Sequence, residues 1–208
     1  MMNSPRFRPL PIFGALAVLV AAALIIVTVT RSGTPGDISA EAGFSRDMAV
    51  HHAQAVDMSF VARDASTDPD LRTFAYDIIN TQSTQRGIFI GWLDQWGLTQ
   101  TSTQPVMTWM SGHGHAGTPG VMPGMASPEE MTKLRAATGV AGEILFLQLM
   151  IRHHEGGVDM SKGVLQLTSR SEVRTMAQHI VDGQTAEISV MKEMLAKRGG
   201  QPLPSILK

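Results

Sequence analysis

The chain has no cysteine in 208 residues, which excludes disulfides, thiolate metal sites and a lipidated N-terminal cysteine. An oxidising compartment stays open, because disulfides are optional there. Strong net charge is absent too. The 17 Lys and Arg stand against 18 Asp and Glu with no basic cluster, so nucleic acid is not an expected partner. No segment shows the apolar–polar alternation of a half-buried strand. Glu-x-x-His, the inward pair that di-iron carboxylate bundles require, does not occur at the histidine pairs. Met48 stands three residues before His51, and Met150 three before His153. A carboxylate-bridged oxidase site is therefore not expected.

What is present is a duplication. Met-x-x-His-His-x-x-x-Val-Asp-Met-Ser occurs as Met48, His51, His52, Val56, Asp57, Met58, Ser59 and again as Met150, His153, His154, Val158, Asp159, Met160, Ser161. Residue n is matched by residue n + 102 without a gap. The match runs from Phe44/Phe146 through Arg72/Arg174, Ala75/Ala177, Ile78/Ile180, Gln82/Gln184 and Leu93/Leu195 to Gly97/Gly199. Residues 44–97 and 146–199 are two copies of one structural unit.

The first 36 residues differ from the rest. Arg6 and Arg8 precede an apolar run from Leu10 to Thr30, and about 20 apolar residues suffice to cross a bilayer as a helix. The run ends in Val27-Thr28-Val29-Thr30-Arg31 with no Ala-x-Ala pattern. That favours an uncleaved transmembrane signal anchor, with secretion after cleavage as the alternative. The positive-inside rule places Arg6 and Arg8 in the cytoplasm. The expected protein is a single-pass cell-membrane protein with its soluble domain outside.

Residues 37–200 form that domain. A helical hairpin is expected over 39–97, turning at the N-cap and N1 pair Asp68-Pro69 and stopping at Gly97. A Met/His-rich loop follows over 98–126. Ser127-Pro128-Glu129-Glu130 opens a short helix over 128–137 as a capping box. A second hairpin spans 141–199, and the tail 201–208, with Pro202 and Pro204, is expected to fray. One hairpin buries only one side of itself, so two copies packed together give an all-α four-helix bundle. Its first and third long helices should meet about a pseudo-two-fold axis.

Helical spacing places Met48, His51, His52 and Met58 in one sector of about 120°, and repeats this for Met150, His153, His154 and Met160. A Met/His chelate within one helix is incomplete, so a second helix or the loop has to complete it. The loop carries Met107, Met110, His113, His115, Met122 and Met125 among small residues, a composition that reads as flexible metal binding. Thioether and imidazole donors without thiolate suit Cu(I), with Cu(II) at His-rich positions, whereas Zn(II) leaves the methionines unexplained. Which histidine of each pair faces inward is open, since adjacent residues differ by about 100° around a helix. Asp57 and Asp159 project away from Met48 and Met150 and read as ion-pair or hairpin contacts. Gly156, Gly157 and Gly163 would let a neighbouring helix or a metal come close.

These residues resemble the bacterial family known as domain of unknown function 305. Members look like tandem hairpins with a ferritin-like four-helix fold. Their marks are Met-x-x-His-His in each half and Met-Pro-Gly-Met before Pro-Glu-Glu-Met. Here these are Met48 to His52, Met150 to His154, Met122 to Met125 and Pro128 to Met131. The resemblance covers about residues 40–199 and implies an extracytoplasmic protein, some members being linked to copper binding and tolerance. This chain has Met125-Ala126-Ser127 where many relatives carry further methionines.

The expected function is extracytoplasmic copper binding for buffering, sequestration or transfer, without catalysis. A copper-transfer partner or self-association fits that role. Two other classes stay open: a metal-dependent oxidase on the same scaffold, and a metal-free helical interaction module whose histidines are packed core.

Overall fold

Three of the helices start where a side chain satisfies free N–H groups of the first turn. Ser39 accepts from Ala42 and opens α1 (Ala40–Ala65). Asp68 accepts from Asp70 and Leu71 and opens α2 (Pro69–Gln95), with proline in the first turn. Gly97, at φ +70°, takes the chain out of α2. The expected capping box forms in full, Ser127 and Glu130 bonding reciprocally at the start of α3 (Pro128–Ala136). Then come α4 (Gly139–Leu167) and α5 (Ser171–Lys197). The computed structural model describes residues 33–111 and 120–207. Among these the chain is all-helical, with five α-helices, one 3₁₀ turn at Thr108–Met110 and no strand.

α1 packs on α2, α4 packs on α5, and the two hairpins meet along α1 and α4. The buried side chains divide into two apolar clusters. One holds Met58 and Met150 with Met131 and Leu134 of α3. The other holds Met48 and Met160 with Met107 and Met110 of the loop. Met48 therefore lies at the same end as Met160, and Met58 at the same end as Met150. α1 and α4 run antiparallel about the expected pseudo-two-fold axis. Between the methionines, on both helices, come the four histidines, all wholly buried.

The tail departs from expectation. The Gln148 amide donates to the Gln201 carbonyl, and Ser205 Oγ and the Ile206 N–H donate to the carboxylate of Glu155. Leu203 packs on the core. Glu155 is 3% exposed, and a buried carboxylate needs donors, which the tail supplies. Among the described residues no helix is long and apolar enough to cross a membrane. The transmembrane run expected at 10–30 lies outside them.

Candidate metal centre

The four imidazoles form a row through the middle of the bundle. Ring centroids are 6.5 Å apart for His52 and His51, 3.7 Å for His51 and His153, and 6.4 Å for His153 and His154. The duplication sets this order. His51 and His153 face each other where α1 meets α4, tilted by 33°. His52 and His154 turn into their own hairpins. His52 Nε2 lies 2.7 Å from Gln85 Oε1 on α2, and His154 Nε2 lies 2.7 Å from Glu187 Oε2 on α5. His51 Nε2 lies 3.1 Å from the carbonyl of Pro123, in the Met122–Met125 segment of the loop.

The remaining ring nitrogens have no partner. Nδ1 of His51, His52 and His154 and both nitrogens of His153 are buried and unbonded, as are the side-chain amides of Gln82 and Gln184 and the hydroxyls of Ser59 and Ser161. A buried polar group without a partner costs about 1–3 kcal/mol. Such groups call for partners, ordered water or a bound ion being the two that suit them. Burial pushes the His51 ring down to about 4 and the His52 ring down to about 3. Burial, reinforced by the neighbouring histidines, holds His153 well below the usual imidazole value. At neutral pH these three rings are uncharged and carry free lone pairs, the form in which imidazole binds metal.

Among the described residues no three His, Asp or Glu side chains converge as a metal site. The donor set here is imidazole with thioether: Met48, Met58, Met150 and Met160 are all wholly buried on the same two helices. That set suits a soft monovalent ion.

The loop is fastened over one end. Asp47, one residue before Met48, accepts from the Met107 N–H at 2.7 Å and the Trp109 indole N–H at 2.8 Å. Met107 sits at φ +64°, a left-handed conformation costly for a non-glycine residue, and this hydrogen bond helps hold it there. Burial raises the Asp47 carboxyl against these bonds, which lower it. Met107 and Met110 are buried, while Met122 and Met125 are half-buried. His113 and His115 lie outside the described residues.

The glycines explain how the loop comes so close. A Cβ on Gly163 would strike the Met110 side chain, and one on Gly156 would strike the Pro123 carbonyl. At these two positions the loop, rather than a helix, fills the space. At Gly157 the neighbour is Gln184 of α5. Asp57 pairs with Arg135 of α3, as its outward position foretold. Replacing Asp47 by Ala strands two buried donors and should cost about 2–3 kcal/mol. It should also raise amide exchange at Met107, measured by urea denaturation and hydrogen exchange. An unchanged exchange rate would mean that the carboxylate is not the fastening.

Sequence reasoning did not single out Gln82, Gln184, Gln85 or Glu187. The signal available was polar identity or near-identity at matched positions of the repeat, in helices whose other matched residues are mostly apolar.

Residues 41–195 match the family described as "Domain of unknown function (DUF305)". The chain belongs to this family. A DUF305 protein from Streptomyces coelicolor, described as a candidate secreted protein, is 45% identical with a TM-score of 0.75, over 81% of this chain and 99% of that one. A DUF305 fragment from Deinococcus radiodurans is 33% identical with a TM-score of 0.64, over 76% of this chain and 96% of the fragment. CopM, solved in a Cu(I)-bound form, is 25% identical with a TM-score of 0.59, over 78% of this chain and 99% of CopM. CopM has also been solved in a Cu(II)-bound form. No curated protein matches the chain. The matched DUF305 region begins in the first turn of α1 and ends near the close of α5, so it contains the whole histidine row.

Proposed function

We propose that this DUF305 chain binds copper as cargo, Cu(I) before Cu(II), for buffering, sequestration or transfer outside the cytoplasm. The observation that carries the reading is the set of buried, unpartnered imidazole nitrogens framed by four buried methionines on α1 and α4. Met48, His51, His52, Met150, His153 and His154 are the ligand candidates, with Met58 and Met160 as additional donors. Met107, Met110, Met122 and Met125, with His113 and His115 of the same loop sequence, are further candidate donors. The copper-bound forms of CopM support the choice of metal. The arginine-then-apolar N-terminus supports an outward-facing, anchored protein, and the description of the Streptomyces relative supports an extracytoplasmic one. Binding needs no catalytic step.

The test is Cu(I) titration of the chain against a competing chelator, repeated with His51→Ala/His153→Ala and with His52→Ala/His154→Ala, helicity being followed by circular dichroism. Each pair should lose more than about 100-fold in affinity, a loss beyond what removal of an outer-shell partner produces. Affinity unchanged in both variants would move the metal to the loop. No affinity in the parent chain would leave the histidines as packed core of an interaction module.

A further inference from the structure

The repeat places Gln85 where Glu187 stands in the second copy. Each lies 2.7 Å from the Nε2 of the second histidine in its half, and each of those rings keeps a buried, unpartnered Nδ1. The geometry is the same and the chemistry is not. A carboxylate only accepts. Nε2 of His154 therefore carries a proton, and in the neutral ring, the form that binds metal, this tautomer leaves the lone pair on Nδ1. A carboxamide offers either an oxygen or an NH₂ group. Gln85 can thus bond either tautomer of His52, and only one of them presents a lone pair at Nδ1.

Charge separates the halves as well. A cation brought among wholly buried rings loses its hydration, which is costly without a countercharge. Glu187 supplies a negative charge one hydrogen bond behind His154, on a side chain that keeps 25% of its surface in solvent. The same place in the first hairpin is neutral. Carboxylate–histidine–metal arrangements of this kind fix ring orientation and raise the ligand's basicity.

We propose that Glu187 is a positioning residue that makes the His154 half of the site load copper first, while Gln85 leaves the His52 half to load second. This rests on the copper reading above.

The test titrates the full-length chain, with ¹⁵N-labelled histidine, with Cu(I) against a competing chelator. Imidazole resonances report the order of filling. In the parent, His154 should respond before His52. Glu187→Gln should weaken the first step about 10–100-fold, the usual effect of losing such a partner. Gln85→Glu should strengthen the His52 half by a similar factor, a gain that structural damage cannot produce. Gln85→Glu combined with Glu187→Gln should reverse the order.

If the parent binds copper but Gln85→Glu gains nothing and the order is unchanged, the proposal is overturned and the copper reading stands. If Glu187→Gln fails to fold, Gln85→Glu alone decides in the same way. A parent that binds no copper overturns both.

Discussion

Changing Met48, Met58, Met150 and Met160 together to leucine should remove tight Cu(I) binding and leave the helices intact. All four are wholly buried, and Met-to-Leu conserves volume, so each change should cost less than about 1.5 kcal/mol of stability. The sulfur is what disappears, and soft thioethers are what distinguish a Cu(I) site from a Zn(II) site. The expected loss exceeds about 100-fold, because losing an outer-shell partner alone costs 10–100-fold. Met131 and Met191 are buried too, in the apolar cluster that also holds Met58 and Met150, and their change to leucine serves as the control. Chelator competition reads the affinity, and circular dichroism reads the fold. Equal affinity in the variant and the parent would rule out the four core methionines as ligands.

The second large effect is acid destabilisation of the metal-free protein. His51 and His52 have folded values of about 4 and about 3, below the 6.5 of the free side chain. Between these values the unfolded chain takes up protons that the folded chain refuses. The stability contributed by burying neutral rings is therefore complete above about pH 6.5 and is lost as pH falls toward 4. At 1.36 kcal/mol per unit, His51 alone accounts for about 3 kcal/mol at pH 4. Urea midpoints measured at pH 7, 6, 5 and 4 should fall steadily, and more gently in His51→Gln. A flat profile in the parent would mean that the rings are protonated or solvated in the native state.

The helix ends were readable because caps are local. Asp68-Pro69, Ser127 with Glu130, and Gly97 act within three or four residues of the ends they make. The meeting of α1 and α4 about a pseudo-two-fold axis was readable because duplication suggests it, whereas their antiparallel run came only with the packing. The facing of His51 and His153 was not, because both histidines of a pair lie inside the same inward stripe, and only the packing of all four long helices chooses between them. The hold of Asp47 on the loop spans 60 residues of sequence, and that of Glu155 on the tail spans 50 or 51. Nothing local announces such contacts. A proline-bearing tail therefore read as frayed, and two of the glycines read as room for a helix or a metal, Gly156 and Gly163, proved to be room for the loop.

A site on a true two-fold axis between identical chains must do everything twice, since any mutation appears in both halves. Joining the two hairpins in one polypeptide lifts that rule. Asp47 fastens the loop while its counterpart Leu149 packs in the core, and Glu155 holds the tail while its counterpart is Ala53. One face of the bundle now holds the loop and another the tail, and the facing pair His51 and His153 at the centre is where the old symmetry survives.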